Sequence, residues 1–260
     1  MGKIIDISHH QGDIDWSKAS KEVDLAIIRT QYGTSTIDRK YVQNIEGCKK
    51  YNVPFGVYIY VTFKNKTEAL AQAKDFYERA KGYNPLFYVV DVEESFGANV
   101  QNIVQGTQAF VDYLKDKGVK VGLYTGHHFY KPYKMDTVKN YDFLWVPRYS
   151  GTSAQGLKPN YACDLWQYTE SGAVTGIKGN VDLNVLNGSK RLSWFTNKNE
   201  KDDDTMKFSN ETTEAAVRDH IKQTVDKKLI DKSWLEKFDS GTMTVGDYEG
   251  LKLIIAQRSK

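Results

Sequence analysis

The chain has 260 residues, 40% hydrophobic and 13% aromatic, enough apolar material to bury a large core and too much for a disordered protein. Its 36 Lys and Arg against 33 Asp and Glu leave a formal net charge of +3, too balanced to point to nucleic acid as a partner. No apolar run reaches the roughly 18 residues of a membrane span, so no membrane partner is expected either.

Strand-like apolar runs recur along the chain at residues 4–7, 25–29, 55–61, 87–92, 119–124, 143–146, 164–168 and 181–185. Between them the spacing predicts a helix over 67–81, with Ala69, Ala73, Phe76, Tyr77 and Ala80 on one stripe. A second is predicted over 105–117, with Ala109, Phe110, Tyr113 and Leu114 inward. Gly82 and Gly118 follow as C-caps. Alternation of strands and helices argues for parallel β/α units, and eight strands for a compact α/β barrel of the TIM-like kind. After Tyr124 the connections are rich in Gly, Ser, Asn and Tyr, so outer helices there are expected to be short or absent. Cys48 and Cys163 lack the spacing of a zinc site or a disulfide framework and read as buried free thiols; no metal and no cofactor is expected.

Composition changes after Phe195. Residues 196–204 are almost wholly polar and read as a charged linker between a barrel (1–195) and a small helical domain (205–260). In the latter, Val217, Ile221, Val225 and Leu229 recur every four residues, and Ser233-Trp-Leu-Glu236 has capping-box form. Thr244-Val-Gly-Asp247 precedes a last helix with Tyr248, Leu251, Ile254 and Ile255 inward. Three short helices around Trp234 and Phe238 are expected.

The chemistry is carried by acids. Asp91 and Glu93 stand at i and i+2 in the run ending Val89-Val-Asp-Val-Glu93, so they share a face with Cα atoms about 6.6 Å apart. At that range one ionised carboxylate holds the other protonated, as a general acid requires. The alternative is a strand end where acids meet solvent. Barrel enzymes work at the C-terminal ends of their strands. Asp6 ends the first strand, and Asp182 lies on the last, which closure makes its neighbour.

These motifs, taken together, resemble the lysozymes of glycoside hydrolase family 25, the Chalaropsis-type muramidases. The likeness runs from residue 3 to about 190. It rests on Asp6-x-Ser-x-x-Gln-x-x-Ile-Asp-Trp16, Gly56-Val-Tyr-Ile-Tyr60, Asp91-Val-Glu93, Leu123-Tyr-Thr125, Leu144-Trp-Val146 with Tyr149, and Trp166-Gln-Tyr168 leading to Gly179-Asn-Val-Asp182. The resemblance implies a flattened, incomplete β/α barrel that hydrolyses the β-1,4 bond between N-acetylmuramic acid and N-acetylglucosamine in peptidoglycan. It makes Glu93 the general acid and Asp91 a stabilising or substrate-orienting carboxylate, with Asp6 and Asp182 tuning the acid.

Tyr58, Tyr60, Tyr124, Trp145 and Tyr149 are candidates for lining a sugar groove, with core packing as the alternative for each. Gln167 could bridge the aspartates. Arg29 faces either a pocket carboxylate or a structural salt bridge, and His9 and His10 read as loop residues. A non-catalytic glycan-binding protein and a chitinase-like hydrolase are the competing readings. Residues 205–260 match no SH3-like or choline-binding repeat. Architecture alone suggests that they bind a secondary wall polymer, against a dimerisation bundle or a passive tail. The start at Met1-Gly-Lys-Ile-Ile-Asp6 shows no signal peptide. That fits a phage or prophage endolysin, made in a host cytoplasm and acting on the cell wall after release.

Overall fold

The computed structural model describes residues 2–151, 155–197, 206, 208 and 210–259. Residues 198–204, most of the expected linker, lie outside them. By internal contacts the chain divides into two units, Met1–Thr196 and Asn197–Lys260.

The first unit is built on nine strands among the described residues. They are β1 (Lys3–Ile7), β2 (Val23–Tyr32), β3 (Thr36–Ile37), β4 (Phe55–Tyr60), β5 (Tyr88–Asp91), β6 (Val121–Tyr124), β7 (Phe143–Pro147), β8 (Leu165–Gly172) and β9 (Val181–Leu186). They pair in the order β1-β9-β8-β7-β6-β5-β4-β2-β3, and β1 also pairs with β2. Eight strands therefore form a closed ring, while β3 folds back on β2 as a hairpin. Seven ring strands are parallel; β9 runs antiparallel to both β1 and β8. Parallel β/α units were expected in a partly irregular barrel, and the direction of β9 is one such irregularity. Residues 173–180, between β8 and β9, are too few for a parallel crossover, which takes a dozen or more, so the chain turns back as a hairpin.

The helical layer is where the barrel is incomplete. Helices α1 (Trp16–Ala19), α2 (Tyr41–Lys50), α3 (Lys66–Ala80) and α4 (Val100–Asp116) cover the first half. Among the described residues, later connections carry only α5 (His127–Tyr130), a 3₁₀ turn and α6 (Leu192–Thr196). Helix α4 begins five residues before the predicted start, because Asn99 caps it by accepting a hydrogen bond from the Asn102 N–H at 2.9 Å. Gly118, at φ +74°, ends α4 as expected. Gly82 does not cap α3: it lies in the 3₁₀ turn Lys81–Tyr83, and Asn84 takes the left-handed conformation there, which asparagine tolerates.

Strand side chains alternate between two apolar layers. Outward residues such as Ile5, Ile28, Val57, Val90 and Leu123 pack against Phe76, Phe110 and Leu114 of the helices. Inward residues Ile4, Leu25, Ile27, Phe87, Val89, Phe143 and Leu165 fill the floor of the ring. Leu192 and Phe195 of α6 plug that floor, Phe195 standing edge-on to Phe87 and Phe143 at 5.9 and 5.1 Å. The two large rings fit because the neighbouring inward positions are Gly56 and Gly122. A Cβ on Gly56 would meet the Phe87 ring at 2.1 Å, and one on Gly122 the Phe143 ring at 2.3 Å.

The second unit contains α7 (Glu211–Asp226), α8 (Ser233–Asp239) and α9 (Val245–Arg258). Ile221, Ile230, Phe238, Met243, Leu251 and Ile255 form its core, with Trp234, Tyr248 and Ile254 half-buried against it. Ser233 is not an N-cap: Lys232 occupies that position, and Asp231 accepts from the Ser233 N–H at 2.9 Å. The capping box forms at Thr244 and Asp247 instead. Cys48 and Cys163 are buried free thiols. No described helix is long and apolar enough to cross a membrane.

Overpacking of the floor gives a direct check on this core. Gly56→Ala and Gly122→Ala should each destabilise the barrel by about 1–3 kcal/mol, read as a lower urea midpoint at unchanged slope. An unaltered midpoint in both would show that the interior is looser than described.

Candidate active site

Four strands that floor the ring with an apolar side chain carry a polar one on the same face toward their C-terminal end, while β7 carries Trp145 there. Along β1, Ile4 is followed by Asp6; along β2, Leu25 and Ile27 by Arg29; along β5, Phe87 and Val89 by Asp91; along β8, Leu165 by Gln167. In β9 the order is reversed because the strand is, so Asp182, its second residue, reaches the mouth and stands opposite Asp6 in the ladder.

The result is a cleft of about 1220 Å³ at the C-terminal ends of the parallel strands. Its lining includes Asp6, Asp91, Glu93 and Asp182. Tyr58, Tyr60, Tyr124, Trp145 and Tyr149 lie in its walls, as do Gln167 and Arg29. All the residues singled out from sequence thus meet at one place. Strand β5 ends at Asp91, so Glu93 stands in the loop just beyond, less buried than its partner.

Asp6 is the most completely held of the acids. Gln167 Nε2 donates to its Oδ1 at 3.0 Å and its Oδ2 at 2.8 Å, and Asn184 Nδ2 donates to Oδ2 at 2.8 Å. Both amides are fixed from behind. The Trp145 Nε1–H, which can only donate, gives its hydrogen to Asn184 Oδ1 at 2.7 Å, so the Asn184 NH₂ must face Asp6. The hydroxyls of Tyr124 and Tyr149 donate to Gln167 Oε1 at 2.9 and 2.5 Å. Gln167 therefore bridges Asp6 to two tyrosines rather than to a second aspartate. Asp91 is the opposite case: its Oδ1 is buried and has no hydrogen-bond partner in the protein.

Burial raises every one of these carboxyl groups, and repulsion from neighbouring acids adds to it at Asp91, Glu93 and Asp182. Burial pushes Asp6 up to about 6, opposed by the hydrogen bonds from Asn184 and Gln167. Burial, then the charges of Glu94 and Asp6, push Glu93 up to about 7. Asp182 rises to about 8 through burial and the charges of Asp6, Glu170 and Glu93. Asp91 lies well above the usual carboxylate range, driven by burial and by Glu93 and Asp6, with Arg29 working against the rise. The cluster therefore holds protons at neutral pH and titrates as a unit.

Arg29 makes the structural salt bridge. Its Nε donates to Asp38 Oδ2 at 3.1 Å, and an Nη donates to His9 Nδ1 at 2.7 Å. Asp38 is pushed up by burial, but the N–H groups of Lys40 and His9 and the Arg29 charge outweigh that and keep it ionised. Sequence reasoning missed Asp38 and Asn184. Asn184 carried a signal, since it is the i+2 neighbour of Asp182 on an inward face; nothing near Asp38 marked it. His10 borders the cleft as well, as do His127, Arg148 and Glu170, none of which was assigned there. Among the described residues no group of His, Cys, Asp and Glu is placed to hold a metal ion.

Comparison with known proteins agrees with this geometry. Residues 5–177 match the family model of glycosyl hydrolases family 25. The catalytic domain of endolysin ply40 from bacteriophage P40 of Listeria monocytogenes is 32% identical, with a TM-score of 0.70 over 76% of this chain and 98% of that one. The autolytic lysozyme of Clostridium acetobutylicum is 31% identical over 183 residues, 70% of this chain; the match spans only 54% of that protein's length. The modular autolysin LytC of Streptococcus pneumoniae, solved with a synthetic peptidoglycan ligand, is 30% identical, with a TM-score of 0.57 over 70% of this chain and 46% of that one. The chain belongs to glycosyl hydrolase family 25.

Proposed function

We propose that this chain is a lysozyme that hydrolyses the β-1,4 bond between N-acetylmuramic acid and N-acetylglucosamine in bacterial peptidoglycan. The observation that carries the reading is a quartet of carboxyl groups around one open cleft, its acids unequal in their environments. Glu93, raised to about 7, still carries its proton in a large share of molecules at neutral pH and meets solvent, as a donor to a leaving group must. The lytic names of the relatives and the peptidoglycan ligand of one support the substrate.

In the proposed reaction Glu93 gives its proton to the glycosidic oxygen as the bond from that oxygen to the anomeric carbon breaks. The 2-acetamido carbonyl oxygen of the same sugar closes on the anomeric carbon, forming a cyclic oxazolinium ion. Asp91 accepts the acetamido N–H on its unpartnered Oδ1 and balances the positive charge. That contact would favour the Asp91 carboxylate, and its charge would in turn hold the proton on Glu93. Water then attacks the anomeric carbon as its bond to the acetamido oxygen breaks and the acetamide is restored; the water's proton passes to the Glu93 carboxylate, and configuration is retained. A covalent aspartyl intermediate is the competing route; the free Asp91 oxygen favours the orienting role. Asp6, saturated with N–H donors, anchors the negative field that keeps Glu93 and Asp182 protonated.

For the second unit we propose wall binding. It has a core of its own, and the endolysin domain that aligns with this chain over 98% of its length is a catalytic domain alone. A tethered second contact would raise avidity for an insoluble polymer.

Peptidoglycan digested with wild type, reduced with borohydride and analysed by mass spectrometry should show new reduced muramic acid ends. Glu93→Gln should lower their rate of appearance by about 10²–10⁴-fold with folding intact, and Asp91→Asn by about 10²-fold or more. Near-normal turnover in either purified variant removes the assignment. Because Glu93 must be protonated to act, kcat/KM should fall as pH rises through about 7. A rate that stays level from neutral to mildly alkaline pH argues for a different acid. Deleting residues 197–260 should leave a folded barrel that sediments less with cell walls; equal sedimentation means the second unit does not target.

A further inference from the structure

Beside the cleft, where Tyr60 lines its wall, stands a cluster of aromatic rings that the hydrolytic machinery does not use. Tyr32, the last residue of β2, stacks on Tyr60 with ring centres 4.8 Å apart and planes 15° from parallel. Phe96 stands edge-on to both rings, at 6.3 and 6.4 Å. Tyr60 itself lines the cleft and donates its hydroxyl to Glu94 at 2.7 Å. A single exposed tyrosine is ordinary. Three interlocked rings that join the mouth of a catalytic cleft, the outermost still 38% exposed, form a platform.

Sheet register fixes where this platform lies. Tyr32 pairs with Tyr60 across β2 and β4, and Tyr60 pairs with Asp91 across β4 and β5. Neighbouring strands are about 4.8 Å apart, so the Tyr32 backbone lies roughly 10 Å from that of Asp91. That is about the reach of two sugar rings along a chain.

One face of the Tyr32 ring is covered by Tyr60. The ring also walls a separate notch of about 140 Å³, bounded by Ile37, Thr36, Arg39 and His9, with the Arg29–Asp38 salt bridge in its wall. Ile37 is 50% exposed, so the notch pairs apolar surface with hydrogen-bond donors at its edge. Apolar faces beside a few fixed polar groups suit a pyranose, whose C–H face packs on an aromatic ring while its hydroxyl and acetamido groups turn outward.

The geometry points to a distal carbohydrate subsite on Tyr32 and Phe96, taking an N-acetylhexosamine ring of the same glycan strand about two residues from the bond that is cut. This rests on the glycan-cleaving reading of the cleft. Its occupant is a sugar and not the stem peptide, because stacked ring faces suit the C–H face of a pyranose and the platform stands two strands from the acids. Tyr32 contributes binding and register, and the bond-breaking step does not involve it.

The test uses the full-length chain carrying Glu93→Gln and peptide-free glycan fragments of alternating N-acetylglucosamine and N-acetylmuramic acid, in calorimetric titration. Adding Tyr32→Ala should weaken binding of a hexasaccharide by about three- to tenfold, the size of an aromatic stacking contact. A disaccharide, too short to span acids and rim, should bind as it does to the parent. Tyr32→Phe keeps the ring and should restore hexasaccharide affinity, which separates stacking from a folding defect. In the active background Tyr32→Ala should raise KM for long glycan with little change in kcat. Equal hexasaccharide affinity with and without the ring overturns the subsite and leaves the lysozyme reading standing. A loss seen only with peptide-bearing fragments also overturns it and assigns the rim to the peptide. Absence of glycan binding in every variant, with no new reducing ends from wild type, overturns both readings together.

Discussion

The structure depends on a ring of eight strands too narrow to leave its interior empty. Each strand sends alternate side chains inward, and those must either pack or form the site. Apolar residues do the first at the N-terminal end, where Phe87, Phe143 and Phe195 interlock over two glycines. Polar residues do the second at the other end. Position along the strand axis therefore sorts core from chemistry, and the sharp change from Val89 to Asp91 or from Leu165 to Gln167 is that border.

Crowding four carboxyl groups at such a border costs stability. Asp6, Glu93 and Asp182 all have folded values above those of the unfolded chain, so between about pH 4 and pH 8 the folded state binds more protons than the unfolded one. Stability linked to these groups is fully present at the acid end of that window and is lost as pH rises through it. The same displacement makes Glu93 a proton donor at neutral pH. Catalytic fitness and alkaline stability thus draw on one set of groups in opposite senses. The donors around Asp6 limit the conflict by favouring its ionised form, so that one member of the quartet supplies the charge the others respond to.

Much of this was legible in the chain because the signals were local. The eight ring strands are short apolar runs, and the acids close them. Asp91 and Glu93 are marked by the i, i+2 pattern, even though the strand ends between them. What was not legible depended on pairing. Nothing in residues 36–40 says that Asp38 will sit under Arg29, because the contact exists only after β3 folds back on β2. Gly82 and Ser233 illustrate the other failure. Each had the right residue type for a cap, but Asn84 and Lys232 took those positions once the flanking turns were set by packing. Tyr32 has no sequence mark at all, since its place beside Tyr60 follows from ladder register.

The direction of β9 shows how far one loop length reaches into the chemistry. With the same inward face but a parallel course, Asp182 would lie at the plugged floor among Phe87 and Phe143, where a carboxyl could not be solvated, and Leu186 would reach the mouth. The short turn at residues 173–180 forces the antiparallel course and inverts that order. It sets Asp182 opposite Asp6, where like charges across a ladder repel and one of the two must keep a proton. It also sets Asn184 opposite Ile4, two residues below Asp6 on the same face, where it reaches both the Asp6 carboxylate and Trp145 and completes the shell of donors. A departure from the regular β/α repeat is therefore what assembles both the charged partner and the anchor of the acid cluster.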